Sequence, residues 1–459
     1  MRRSTIVLIL GLLLIGLAGV GTASAATPAV VTLGNNGWSV AGIGTWDAGT
    51  ATGTLTTDLN NTTIQIVSSF VTLNGNGKTL TGTGSGCGVI VAVKTEVGIK
   101  NITVTGFTYG IRLHATGYSA VSNNTLRDND YGIFLLGSSN NVINGNQVMS
   151  NNFNGIHAQG GGTNTFSGNA STDNGGNGVH LQGNGSNTVT DNTLARNTGS
   201  GLYLQASPNN AIQDNASESN TCGIAMLAST NNAITDNRLL SNGTGILFMN
   251  SDSNTVRDSE ISSNTANGIQ FQQMSNANTI TDNEIKYNGG CGIRGFSCSG
   301  GNIMEDNALE SNVSHGICMT NQSGGNTITD NSIRSNGGDG INFSALAGGN
   351  TITRNIIDQN LSGIAVSGQA GNNTITNNSV SNSTVYGLFM WCGGNRVYDN
   401  NFVNNATQAW TWFANTFNDS DAGNYWNNWT SPDSDHNGIV DLPYKFKGGQ
   451  DNLPRVSPV

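Results

Sequence analysis

The 459-residue chain is predicted to be all-β, a right-handed parallel β-helix solenoid of about 13–14 coils with N- and C-terminal caps. Three observations predict this. A Gly followed by an apolar residue recurs from Gly110-Ile111 to Gly387-Leu388 at intervals of 22–24 residues. Between these marks lie short stretches with apolar residues at period 2, bounded by Asn. Asn187-Thr-Val-Thr-Asp-Asn and Asn326-Thr-Ile-Thr-Asp-Asn are examples, and they read as brief strands and turns. Composition completes the case: 63 Gly, about 70 Asn and 10% charged residues leave few strong helix formers. With 36% hydrophobic residues at regular spacing, the chain is not a disordered polar tract. A repeat of about 23 residues is too short for a propeller blade or a helical pair, and the leucine framework of leucine-rich repeats is absent. One turn of chain per repeat remains, each strand pairing with its equivalents in the coils above and below, about 4.8 Å away.

The elements follow in chain order. Residues 1–25 have the plan of a signal peptide: Arg2 and Arg3, an apolar stretch from Ile6 to Val20, then the small residues Ala23-Ser-Ala25. An uncleaved anchor is the alternative, although the apolar stretch is shorter than the roughly 20 residues a span needs. Export to the cell surface or beyond is therefore expected, with no later membrane insertion. Cleavage would take the net charge from −10 to about −12, an acidic balance that argues against nucleic acid as a partner.

Residues 26–85 are expected to form an N-terminal cap, with Trp38 and Trp46, and the first coils; residues 86–405 form the repeats. Residues 406–459 form a C-terminal cap, with five of the seven tryptophans (Trp391, Trp410, Trp412, Trp426 and Trp429) in the last 70 residues. Those tryptophans read as packing over the last coil, or as a platform for sugar rings. The six cysteines (Cys87, Cys222, Cys291, Cys298, Cys318 and Cys392) give no obvious partners in register and read as isolated buried thiols. Sequons such as Asn215-Ala-Ser217 and Asn428-Trp-Thr430 would be glycan acceptors in an exported protein, although most such matches arise by chance in a chain this rich in Asn.

Aligning the repeats on their Gly sorts side chains into columns. The first and third residues after it are apolar and point inward; the second and fourth point outward. Arg112 and His114, then Phe134, His157 and Gln159, His180 and Gln182, and Tyr203 and Gln205 fall in the outward columns. They make a strip of rings, imidazoles and amides suited to sugar hydroxyls, or alternatively a solvated sheet face. His157 and His180 hold one position in adjacent coils, near enough to share a metal or a substrate group. The recurrent turn Asn should stack inside the rod as amide ladders. Asp191, Asp214, Asp236, Asp258, Asp282, Asp306 and Asp330 share one turn position. At about 5 Å, neighbouring carboxylates repel by roughly 1 kcal/mol in water, which predicts cation binding, fanning apart or raised pKa values. Solvated turn aspartates capping backbone amides are the plainer reading, and a calcium-screened ladder the other. Near the end, Asp433, Asp435, Asn437, Gly438 and Asp441 give an oxygen-ligand spacing round a tight turn that suits Ca2+, although Tyr444 stands where a calcium loop has Glu.

Units of the form Asn-Thr-Ile-Thr-Asp-Asn-x-Ile, the entry segment Ile64–Gly82 and the ending Gly423-Asn-Tyr-Trp-Asn-Asn-Trp429 resemble NosD-like proteins. They also resemble the wider carbohydrate-binding and sugar-hydrolase (CASH) β-helices, exported archaeal members among them. The resemblance implies the fold and a polysaccharide or surface glycan as partner. The Asn-Thr-Asp, Asp-Asp, Gly-His-Gly and Arg-Ile-Lys motifs of pectin hydrolases, and the Asp-Pro-His motif of uronate epimerases, are absent here. For a lyase using a lone basic residue, Arg112 and Arg294 are outward candidates. NosD-type copper-site maturation wants clustered Cys, Met or His, and only His157 and His180 meet that demand. The expected function is thus a non-catalytic exported scaffold that binds carbohydrate or serves in envelope or adhesion. A carbohydrate-active enzyme comes next, and a copper-site accessory protein third. Oligomeric state is not readable.

Overall fold

A computed structural model describes residues 27–297 and 299–459; the expected signal peptide and Cys298 lie outside the described residues. The chain winds as a parallel β-solenoid of about 16 turns. That exceeds the 13–14 read from the Gly marks for a simple reason. Strands Ala29–Gly34, Thr62–Ile66 and Thr407–Thr411 lie in the same sheet without a Gly–apolar mark, and Cys87–Ala92 carries one ahead of the counted run. Among the described residues no helix is long and apolar enough to cross a membrane.

Each coil contributes a strand to three parallel sheets. The first sheet holds the Gly-marked strands, such as Tyr109–His114, Ser200–Gln205 and Tyr386–Met390, in constant register: Ile111 pairs Ile133, which pairs Ile156, which pairs Val179. The second and third sheets use three-residue strands such as Thr188–Thr190 and Thr193–Ala195. Short strands suit this layout because Thr, Val and Ile favour extended backbone, and the Asp-Asn pair that follows turns the chain at once. All seven aspartates of the acidic column sit at that turn with φ between +54° and +57°. Asp and Asn occupy this left-handed region far more readily than β-branched residues do, so the turn selects them.

The bore is filled by two apolar side chains from most first-sheet strands and one from each short strand of the other two sheets. Ile111, Ile133, Leu204, Phe248, Ile280 and Ile333 are fully buried, each worth about 1.5–3 kcal/mol over its exposed state. Where the chain turns between sheets, Asn side chains point inward and form the expected ladders. Three run along the rod. In one, Asn124, Asn146, Asn169, Asn192 and Asn215 pass side-chain N–H to the next Oδ1 at 2.9–3.0 Å. A second runs through Asn129, Asn151, Asn174 and Asn197. In the third, through Asn141, Asn164, Asn187 and Asn210, the main-chain N–H donates to the next Oδ1 at 2.9 Å. Every ladder Asn thus satisfies buried backbone groups that water cannot reach. Asn215 is one of them and is 2% exposed, so its sequon is not offered to a glycan.

At the C-terminal end Trp426 is fully buried and stacks on Phe402 (centroids 4.5 Å apart) and on Tyr444 (4.6 Å). Asp451 fixes it: one carboxylate oxygen accepts from Trp426 Nε1 at 3.0 Å and from Asn424 N at 2.7 Å. Trp391 and Trp412 are not in this layer. They stand exposed on the outer face of the first sheet, so not all of the tryptophans serve as packing over the last coil.

Candidate ligand-binding face

The outer face of the first sheet gathers most of the residues singled out in the sequence. A Cβ on Gly132 would lie 2.3 Å from Val148 Cγ1 and 2.6 Å from Gly155 O, so Gly is what lets neighbouring coils approach here. The second residue after each Gly then stacks on its counterpart in the next coil. Arg112 pairs Phe134, Phe134 pairs His157, His157 pairs His180 and His180 pairs Tyr203. Phe134, His157 and His180 are only 7–8% exposed, so this column is not the open face that alternation alone predicts. The reason is lateral: each ring is covered by the rings beside it. Phe134 meets His157 edge-on at 5.0 Å, and His180 meets Tyr203 at 4.8 Å. In the outer column His114 and Gln159 are exposed, whereas Gln182 and Gln205 are half-buried, as are Arg112 and Tyr203 in the inner one.

His157 Nε2 lies 3.3 Å from Gln182 Oε1, and His180 Nδ1 lies 3.4 Å from Asn154 Nδ2. The opposite nitrogens, His157 Nδ1 and His180 Nε2, are buried without a protein partner. Burial lowers the pKa of both imidazoles; at His180, burial and then the neighbouring His157 bring it to about 4. Both rings are therefore neutral near pH 7.

A further column, missed in the sequence, lies one residue before each Gly. Its members cross to meet the second residue after the Gly of the next coil, as Asn154 meets His180 and Tyr131 meets His157 (5.8 Å). In the middle of the rod this column reads Cys291, His315 and Asp339 in three consecutive coils. His315 Nδ1 accepts from the Asp339 main-chain N–H at 2.9 Å and lies 3.4 Å from Asp339 Oδ2. Asn342 Nδ2 donates to that carboxylate at 2.8 Å. Cys291 and Cys318 are buried free thiols, as the sequence predicts, but each is the other's neighbour across adjoining coils. The hydrogen bond from Cys318 lowers the Cys291 pKa to about 6, aided by the His315 main chain and Ser314, whereas the donor thiol of Cys318 is pushed up. The signal is present in the sequence, since Cys291, His315 and Asp339 precede Gly292, Gly316 and Gly340, but it lies before the Gly, outside the columns that alternation marks as outward.

Beside Asp339 and Asn342 opens a cleft of about 290 Å³, bounded on the next coils by Tyr386 and Phe389. Tyr386 and Phe389 pack on Trp410 at 5.6 and 4.9 Å, and Lys447 Nζ lies 4.9 Å above the Trp410 ring. Next to them Trp391 and Trp412 are stacked at 4.9 Å, 44% and 56% exposed. One edge of the face is thus a paved aromatic surface, and beside it lie the buried Asp339 carboxylate and the half-buried Asn342 amide.

The two acidic features differ. In the seven-residue column four carboxylates turn to local partners. Arg257 reaches Asp258 at 2.7 Å, Arg354 reaches Asp330 at 2.7 Å, and Thr190 and Thr281 hydroxyls donate to Asp191 and Asp282 at 3.0 Å. Arg354 lowers the Asp330 pKa rather than leaving it raised. Asp433, Asp435 and Asp441, by contrast, bring one oxygen each within 4.8 Å of one another, the sole such cluster of His, Cys or acidic residues among the described residues. Main-chain N–H groups of Asn437 and Gly438 donate to Asp433, and Asn437 Oδ1 accepts from Ile439 N–H at 2.7 Å. This is an oxygen donor set of the kind hard cations prefer.

Stacked coils, internal amide ladders and one decorated outer face define a parallel β-helix solenoid. The chain belongs to the right-handed β-helix region family, whose model matches residues 41–197, 109–256, 177–333 and 274–422. It is similar in structure to the A-module of the mannuronan C-5 epimerase AlgE4 from Azotobacter vinelandii: 13% identity, 71% of this chain and 85% of that one, TM-score 0.33. It is also similar to a double mutant of the periplasmic alginate epimerase AlgG (14%, 67% and 79%, TM-score 0.43). A third is the Dettilon tailspike protein (13%, TM-score 0.40), 61% of this chain matching 59% of that one. No curated protein matches the sequence.

Proposed function

We propose that this protein is an exported, cell-surface β-helix of the NosD-like or CASH subtype that binds polysaccharide along the outer face of its first sheet, without catalysis, as an adhesion or envelope scaffold. The observation that carries the reading is the cleft beside Asp339 and Asn342 with its aromatic flank, Tyr386, Phe389, Trp391, Trp410 and Trp412. Sugar rings present apolar faces and vicinal hydroxyls. A carboxylate–amide pair beside exposed indoles serves both, the amide donating and the carboxylate accepting. With a net charge of −10, neutral polymers are better partners than polyanions.

A glycan array followed by titration of tryptophan fluorescence tests this. Binding of a neutral polysaccharide with quenching of Trp391 or Trp412 is the expected result; no binding to any glycan leaves only a structural role. A second reading, a carbohydrate-active enzyme, is favoured by the His315–Asp339 contact at 3.4 Å beside the same cleft. Release of sugar product from the bound polymer, with or without Ca2+, would establish it over the first.

A further inference from the structure

Cys291 and Cys318 occupy adjoining coils in the crossing arrangement already described, the residue before one Gly against the second residue after the next. Both sulfurs are on the outer side of the first sheet, and the two residues are 5% and 7% exposed. The Cys291 thiol, beside that of Cys318, donates to Ser314 Oγ at 3.7 Å, with the His315 main chain close by. Arg294, the register partner of Cys318, adds positive charge next to the Cys318 sulfur, and His315 stands beside Cys291. At Cys87, Cys222 and Cys392 burial instead pushes the thiol up, as in ordinary core cysteines.

We propose that Cys291 and Cys318 are a redox pair, Cys291 reacting first with a peroxide and Cys318 resolving it to a disulfide that joins two coils. The chemistry balances. The Cys291 thiolate attacks one oxygen of hydrogen peroxide, the O–O bond breaks, and the departing hydroxide takes up a proton to leave as water, giving a sulfenic acid on Cys291. The Cys318 sulfur then attacks the Cys291 sulfur as its own proton is lost. The S–O bond breaks and a second water leaves. Two thiols have given up two electrons and one peroxide has become two waters. A peroxide is the fitting oxidant because it is small enough to reach a sulfur this shielded. A small dithiol reverses the bridge.

The test uses the purified full chain, treated with hydrogen peroxide, alkylated and mapped as peptides without reduction. A Cys291–Cys318 link that disappears with dithiothreitol, and that persists in Cys298→Ser, is the expected result. In Cys318→Ser a sulfenic acid should accumulate on Cys291 and be trapped by dimedone, at least about tenfold faster than at Cys222. Free thiols at both positions after treatment, a link to any other cysteine, or a mixed product without the bridge overturns the proposal. Peptide mapping of the unsubstituted chain decides the matter even if the variants fold poorly.

Discussion

The imidazole rings of His157 and His180 lie 4.5 Å apart, centroid to centroid, and within 8° of parallel. Two cations cannot share that stack, so protonation must be resisted in the folded state. His180 is held at about 4 against its ordinary 6.5, so the unfolded chain binds more protons between those values. Stability contributed by the neutral ring is then fully present above about pH 6.5 and lost as pH falls towards 4. The loss should approach roughly 3 kcal/mol at most, at 1.36 kcal/mol per pKa unit. Urea midpoints for the unsubstituted chain and His180→Gln should converge as the pH is lowered from 7.5 to 4.5. Parallel curves would contradict the burial argument.

Asn331 shows what a ladder position is worth. Its Nδ2 donates to Met304 O, Thr329 O and Asn355 Oδ1 at 2.8–3.0 Å, and its Oδ1 accepts from the main chain and side chain of Asn307. Asn331→Ala strands buried donors and acceptors on two coils, so it should cost about 1–3 kcal/mol for each group left unpaired. Leu at the same position should be no better, since volume is not what is missing. Chemical denaturation followed by circular dichroism measures the loss.

Asp451 is fully buried, with three N–H donors and the Asn424 amide aimed at its carboxylate. Desolvation nevertheless raises its pKa, the donors only partly offsetting burial. Asp451→Asn replaces an acceptor with an N–H that faces donors. It should destabilise the C-terminal aromatic layer by roughly 1–3 kcal/mol, seen first as a change in Trp426 fluorescence, before any change in the coils.

If the outer face binds sugar, Trp412→Ala should weaken binding by about three- to tenfold with an unchanged melting temperature, because its ring is exposed and its stacking is worth about 0.5–1.5 kcal/mol. Tyr386→Ala should weaken it by a similar factor. His114→Ala, on an exposed position far along the rod, should do nothing when the ligand is short. Isothermal titration with a defined oligosaccharide separates these outcomes.

The rod was legible in the chain because its rules are local. A Gly where coils touch, an Asp at the left-handed turn and an Asn behind it recur from unit to unit, and each has one physical cause. What escaped was lateral. Strand alternation places Phe134, His157 and His180 on the outside, but says nothing of rings that shield one another once the coils stack. The crossing of Cys291 to Cys318 escaped for a related reason. Contacts between coils join different repeat positions, and a comparison of like with like passes over them.

The Tyr203 coil and the Tyr386 coil are separated by eight successive strand pairings, from Ser200 with Cys222 to Ser362 with Tyr386. At about 4.8 Å per pairing they stand roughly 40 Å apart, held by ladders that neither stretch nor slip. The molecule is therefore a gauge. An oligosaccharide shorter than that interval can engage one aromatic cluster, and a longer one can engage both at the cost of a single association. Chain length, more than sugar identity, would then set how firmly a polymer is held.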